Sequence, residues 1–229
     1  MITPLLELIF PPLCLHCTEQ TGQLKKRLCD ECLKQMSLIE LEGRCPRCFT
    51  EKEESGCPKC RTKGSPFKRM SSAFEYAGPA ATLVQQFKFG KKQELARDLA
   101  SWMLIQFLRL EVPLPDLIVP VPQPFMRTWT RGYNQSLLLA QEISRLLDRP
   151  CADLLKKRSG DFPQTGQSRK QRESLPSDAI SWKKRRSISD ETILLIDDVM
   201  TTGATLRHCA AALQEGYPAA LYALTFCAS

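Results

Sequence analysis

Four Cys-x-x-Cys doublets within the first 60 residues, Cys14/Cys17, Cys29/Cys32, Cys45/Cys48 and Cys57/Cys60, constrain this chain more than any other feature. Two thiolates at that spacing converge on one tetrahedral ion while the backbone between them turns as a knuckle. Eight such ligands fill two closed four-cysteine sites. The doublets are separated by 11, 12 and 8 residues. Pairing in chain order gives two successive zinc ribbons, one from the first four cysteines and one from the last four; an interleaved cross-brace uses the same eight ligands. Neither arrangement leaves a metal position open for water, so the expected pair of zinc ions is structural. Disulfides are the competing use of these thiols. The apolar start Leu5 to Phe10 is short, contains Glu7 and follows no basic segment, so it does not read as a secretory leader. A reducing, cytoplasmic location is expected, and with it zinc. His16 lies between two ligands and reads as a solvated knuckle residue, because the cysteines already complete the count.

The remaining three of the 11 cysteines are scattered, and the cysteine-rich composition stops at Thr62-Lys63-Gly64-Ser65-Pro66, a short linker. This predicts a zinc-ribbon module over residues 1–62 and a second domain over 63–229, within what a 229-residue chain can bury. No window approaches the roughly 18 consecutive apolar residues that would cross a bilayer. The net charge of +7 favours anionic partners without choosing among them. Lys25, Lys26, Arg27, Arg44, Arg47, Lys59, Arg61 and Lys63 make the ribbons basic, which suits either contact with single-stranded nucleic acid or a solvated surface.

Beyond the linker, strand and helix patterns alternate. Strands are expected at Ala73–Ala77, Asp116–Val121, Cys151–Leu155, Thr192–Ile196 and Ala220–Phe226, and helices at Pro79–Phe89, Gln93–Leu110, Asn134–Leu147 and Ala204–Glu215. Alternation of this kind predicts an α/β fold, a parallel sheet flanked by helices, with ligands bound beyond the carboxyl ends of the strands.

The run Ile193-Leu-Leu-Ile-Asp197-Asp198-Val-Met-Thr201-Thr202-Gly203-Ala204-Thr205 sits at such a place. Two carboxylates emerging from a buried strand can accept hydrogen bonds from vicinal hydroxyls. Gly203 lets backbone approach a ligand, and the amides of the next helix favour a phosphate, with Thr201, Thr202 and Thr205 as further donors. The specification is a sugar phosphate. The segment resembles the phosphoribosyl pyrophosphate (PRPP) signature of type I phosphoribosyltransferases: apolar residues, two acids, three residues and T-G-x-T. With the cysteine doublets in front, nearly the whole chain resembles the ComF family of late-competence and GntX-like proteins. Gln86-Phe-Lys88-Phe-Gly90, Val119-Pro-Val-Pro122 and Arg131-Gly-Tyr-Asn-Gln135 add to that resemblance.

The resemblance implies a type I phosphoribosyltransferase domain that takes PRPP with Mg²⁺. In it Asp197 and Asp198 are catalytic, residues 201–205 hold the 5′-phosphate, and Lys88, Arg131, Arg169, Lys170 and Arg172 serve pyrophosphate, the last three from a mobile flap. Asn134 either bonds the ligand or caps the following helix. The chain departs from the family in the flap, where Leu175 and Ile180 stand where an Asn and an aromatic are expected. Neither His16 nor His208 is needed as a base, because charge developing during pyrophosphate displacement is met electrostatically. Two functions follow from the resemblance: phosphoribosyl transfer to an unidentified acceptor, or a non-catalytic accessory role in DNA processing and uptake, with single-stranded DNA or other DNA-processing proteins as partners.

Overall fold

The computed structural model describes residues 11–23, 25–123, 132–157 and 180–229. Both cysteine groups end in short helices that start on a ligand. Cys29 precedes α1 (Asp30–Lys34), and Cys57 precedes α2 (Pro58–Lys63), where Pro58 occupies the first turn, in which a missing N–H costs nothing. Then follow β1 (Arg69–Glu75), α3 (Gly78–Phe89), α4 (Leu95–Leu108), β2 (Leu117–Pro120), α5 (Gln135–Leu147), β3 (Leu155–Lys157), β4 (Ile180–Trp182), β5 (Thr192–Met200), α6 (Ala204–Gln214) and β6 (Ala220–Ala228).

Strands β1, β6, β5 and β2 form one sheet in that order, every neighbouring pair parallel. The apolar runs of β5 and β6 fill its centre, since a strand covered on both faces needs apolar residues on both. Pro120 lies on β2, at one side of that order, where a missing donor is tolerated. Along β5, Leu194 and Ile196 join a core with α3, α4 and α5, while Ile193 and Leu195 join one with α6. The sheet is thus sandwiched between helices, as the alternation predicts. A small antiparallel pair, β3 with β4, packs over the α6 side.

Three strands differ from expectation. β5 continues through both acids to Met200, because β6 offers pairing partners as far as Ala228 and the backbone ladder is indifferent to side-chain polarity. β1 begins at Arg69, its start disguised by Ser71 and Ser72. Both serines are buried with partners, Ser72 against the Thr225 hydroxyl and Ser71 against the Gln106 amide. The segment expected to be a strand at Cys151–Leu155 makes one bridge, Cys151 to Ile118, before β3 departs to pair with β4.

The cysteine groups straddle the outer edge of β1. Cys14, Leu28, Cys32 and Met36 belong to the α3–α5 core, whereas Ile39 and Phe49 belong to the α6 core. The edge strand itself is bonded from the chain between the groups, Ile39 N–H to the Ala73 carbonyl at 2.9 Å, and from within the second group, Met70 N–H to the Pro46 carbonyl at 2.7 Å. Gln106, wholly buried, donates to the Ile39 and Ser72 carbonyls. An edge that would otherwise invite pairing with another chain is covered.

Gly216 follows α6, and its need for glycine is spatial. A Cβ there would lie 2.4 Å from Cγ1 of Ile188 and 2.8 Å from the Trp182 ring. Gly216→Ala is therefore expected to cost about 1–3 kcal/mol of stability by overpacking, measurable by denaturant titration.

Candidate functional site

The site begins where β5 ends. Asp197 is held by the residues around it: its Oδ1 accepts from the Ser136 hydroxyl at 2.7 Å and from the Asp198 backbone N–H at 2.9 Å. Burial, then the charge of Asp198, pushes its carboxyl up to about 7, against the Ser136 hydrogen bond and the more distant Lys88. Asp198 is 6% exposed and carries an ion pair, its Oδ1 2.9 Å from Nζ of Lys88. Two adjacent carboxylates at a strand end thus differ in environment, one with a hydroxyl partner and a raised pKa, the other paired with a cation.

The run Tyr133-Asn134-Gln135-Ser136 builds this arrangement. Asn134 caps α5, its side chain accepting from Leu137 N–H at 3.3 Å, so the capping alternative is the one observed. The cap brings Ser136 to Asp197. Tyr133 packs its ring 5.9 Å from Phe87 and donates its hydroxyl to the Phe87 carbonyl, fixing the end of α3 from which Lys88 projects. The roles of Ser136 and Tyr133 were not apparent in the sequence, although a hydroxyl just inside a capped helix start was the available signal for Ser136.

After β5 the chain turns through Thr201 and Thr202 into α6, with Gly203 at the helix cap in a left-handed conformation, φ +71°. A side chain is strained there whatever space surrounds it, and a Cβ would also lie 3.4 Å from Nη1 of Arg207. The Thr202 hydroxyl accepts from Ala204 N–H at 3.3 Å. Thr205 lies in the first turn, whose leading N–H groups have no acceptor within the helix. Such a loop can receive a phosphate. The Thr202 carbonyl is turned away from that use: it accepts from Nη1 of Arg207 and from Nζ of Lys59, both at 3.0 Å. Neither contact was foreseen from the sequence.

The cysteines gather in chain order. Cys14, Cys17, Cys29 and Cys32 form one group and Cys45, Cys48, Cys57 and Cys60 the other, the ligand atoms of each within 4.8 Å of one another. Sγ–Sγ distances are 3.5 Å for Cys17–Cys29, 3.7 Å for Cys45–Cys60 and 3.4 Å for Cys48–Cys57. Four sulfurs about 2.3 Å from a tetrahedral ion lie about 3.8 Å apart, so both groups fit a metal. All eight thiols are free of disulfides. Burial resists ionisation of Cys14, yet the backbone amides of Cys17, Cys29 and His16 outweigh it and bring that thiol down to about 6. Cys57 also falls to about 6, burial being overcome by the Cys60 amide and the Thr50 hydroxyl. His16 is no ligand; its Nδ1 lies 2.8 Å from the Thr82 hydroxyl, tying the first group to α3.

Much of the expected basic surface is engaged within the chain. Lys26 pairs with Asp30, Arg27 with Asp98, Arg44 with Glu75, and Arg47 donates to the Ser65 carbonyl. Lys183, Lys184 and Arg186 pair with Asp153, Glu215 and Glu191. Arg131, Arg169, Lys170, Arg172 and Leu175 lie outside the described residues. Ile180, the other departure in the flap, is buried at the start of β4 opposite Lys157. No helix among the described residues is long and apolar enough to cross a membrane.

Comparison with known proteins places the chain among relatives. Residues 134–229, from the α5 cap to the end of the chain, match the family model of the phosphoribosyl transferase domain. Competence protein F of Haemophilus influenzae is 30% identical over 210 residues, covering 88% of this chain and 90% of its own. DNA utilization protein YhgH of Escherichia coli K12 is 29% identical over 191 residues, covering 80% and 83%. Competence protein ComFC of Bacillus subtilis is 29% identical over 222 residues, covering 89% of each.

Proposed function

The chain belongs to the ComF/YhgH family, whose members carry a phosphoribosyl transferase domain and are named for competence and DNA utilization, and on that premise we propose that it binds PRPP with Mg²⁺ at residues 197–205 and serves the handling of DNA. One observation carries the reading: an acid pair at the end of a central strand leads directly into a left-handed glycine at a helix start. Ribose hydroxyls donate to Asp197 and Asp198, while the 5′-phosphate accepts from the loop amides and the hydroxyls of Thr201, Thr202 and Thr205.

In the transfer, the bond from ribose C1 to the pyrophosphate oxygen breaks and a bond to an acceptor nitrogen forms, the acceptor losing a proton. Positive charge develops on the sugar, close to the two carboxylates, and negative charge on the leaving group. Mg²⁺ bound to PRPP would neutralise part of the latter. Lys88 exchanges Asp198 for pyrophosphate as the ribose arrives, and Arg131, Arg169, Lys170 and Arg172 add to the same field. The eight cysteines hold two structural zinc ions in a module ending near residue 62, in a reducing, cytoplasmic setting.

The second reading keeps the pocket but not the turnover: the protein senses PRPP or a nucleotide and acts on single-stranded DNA or a DNA-processing partner. The names of the relatives favour a DNA process, whereas the internal pairing of Lys26, Arg27 and Arg44 leaves the ribbons with less free charge for it. Calorimetry with PRPP·Mg²⁺ and ribose 5-phosphate, followed by pyrophosphate release with nucleobase, amine and DNA acceptors, tests both. Binding is expected to be abolished by Gly203→Val, which strains the loop without removing charge. Pyrophosphate release supports transfer, binding without release supports the second reading, and no binding at millimolar ligand overturns the phosphoribosyl site.

A further inference from the structure

Lys59 stands between two cysteine ligands, in Cys57-Pro58-Lys59-Cys60, yet its ammonium reaches across to the other end of the chain and donates to the Thr202 carbonyl at 3.0 Å. Arg207 donates to the same oxygen from α6, also at 3.0 Å. A carbonyl oxygen has two lone pairs, so the two cations saturate it. The crevice between the second cysteine group and the loop is lined by Cys48, Lys59, Ser65, Met70, Gly203 and Arg207, and it has room for about 10 Å³. Module and loop are therefore in direct apposition.

We propose that Lys59 is a positioning residue through which the second four-cysteine group sets the conformation of the loop at residues 201–205. In a trans peptide the carbonyl and the following N–H point in opposite directions. Holding the Thr202 oxygen between Lys59 and Arg207 therefore directs the Gly203 N–H away from the cysteine module. Glycine permits the alternative in which this peptide plane turns over, because it adopts either sign of φ at little cost, so the loop needs an external restraint to keep one orientation. Lys59 supplies that restraint from a backbone segment short enough to be fixed by the ligation of Cys57 and Cys60 on either side. A metal held by Cys45, Cys48, Cys57 and Cys60 would fix the backbone on either side of Lys59, and Lys59 in turn orders a loop that the metal does not touch. The part of this inference that concerns ligand affinity rests on the phosphoribosyl reading, whereas the part that concerns loop order does not.

The test compares the wild type with Lys59→Met, Lys59→Arg and, as a control, Arg61→Met, since Arg61 sits on the same helix and bonds to the Ser55 hydroxyl instead. Zinc content, amide hydrogen exchange at residues 201–206 and calorimetry with ribose 5-phosphate in the absence of Mg²⁺ are measured on each full-length chain. Lys59→Met is expected to retain its zinc, to exchange faster in the loop, and to bind ribose 5-phosphate about ten- to a hundredfold more weakly, the loss set by one charge-assisted hydrogen bond. Lys59→Arg should restore most of both, and Arg61→Met should change neither. Unchanged exchange and affinity in Lys59→Met overturn the inference while leaving the phosphoribosyl site intact. If the wild type binds no ribose 5-phosphate, the functional reading fails, and the exchange measurement alone still decides whether Lys59 orders the loop.

Discussion

Asp197→Asn combined with Asp198→Asn is expected to lower affinity for ribose 5-phosphate by about 100- to 10,000-fold, because two charge-assisted hydrogen bonds of about 1.5–3 kcal/mol each are lost. Asp197→Asn alone, which leaves the Asp198–Lys88 ion pair in place, should make the folded protein more stable at pH 8. Asp197 is pushed up to about 7 by burial and by Asp198, so the native state retains a proton that the unfolded chain releases near its ordinary value. More protons bound in the native state means that stability falls as pH rises through that window, from about 4 to 7. Asn at 197 removes this slope and keeps the Oδ1 acceptor used by Ser136 and the Asp198 amide. A gain on the order of 1–2 kcal/mol at pH 8 is expected, the usual sign when a strained functional group is removed. Affinity of the wild type should correspondingly rise between pH 6 and 8, as Asp197 loses its proton and becomes a full acceptor. Calorimetry and thermal melting across pH read both effects; a double variant that binds like the wild type, or an Asp197→Asn protein that is destabilised at every pH, contradicts this account of the acid pair.

Stripping metal should have the larger effect on the fold. Elemental analysis is expected to give about two zinc ions per chain, one for each four-cysteine group. Structural zinc contributes about 10–16 kcal/mol in small cysteine modules, as much as the roughly 5–15 kcal/mol that holds a whole domain folded. Here the loss would spread, because Cys14 and Cys32 lie in the same core as α3, α4 and α5, and the chain between the groups covers the β1 edge. Chelation should abolish the cooperative thermal transition or lower it by tens of degrees, and the uncovered edge should promote association, visible in light scattering. Acid should act in the same direction, since protonated thiols release the metal. A protein purified without metal that melts where the loaded protein does would show the cysteines to have another purpose.

What could be read from the chain alone was what depends on short spacing. Doublets of the form C-x-x-C name their own ligands, whereas the choice between pairing in chain order and a cross-brace was made by the structure, which gathers them in chain order. The acids, the glycine and the threonines of residues 197–205 lie within one strand-to-helix turn, so their neighbourhood is a matter of local geometry. Helices α3, α4, α5 and α6 were legible to within about two residues at each end, because apolar spacing and caps such as Asn134 are likewise local. The partners of those residues were not legible. Lys88 meets Asp198, Ser136 meets Asp197 and Lys59 meets Thr202 across 110, 61 and 143 positions. No periodicity records such a contact, because it arises only once the sheet has set which strand ends lie side by side. Nor could the sequence extend β5 through two carboxylates, since that decision belongs to the neighbouring β6, whose length provides the hydrogen bonds. Local chemistry therefore names the groups that act, while the parallel sheet and the cysteine module wrapped on its edge decide what charge each of them carries and which way the loop between them faces.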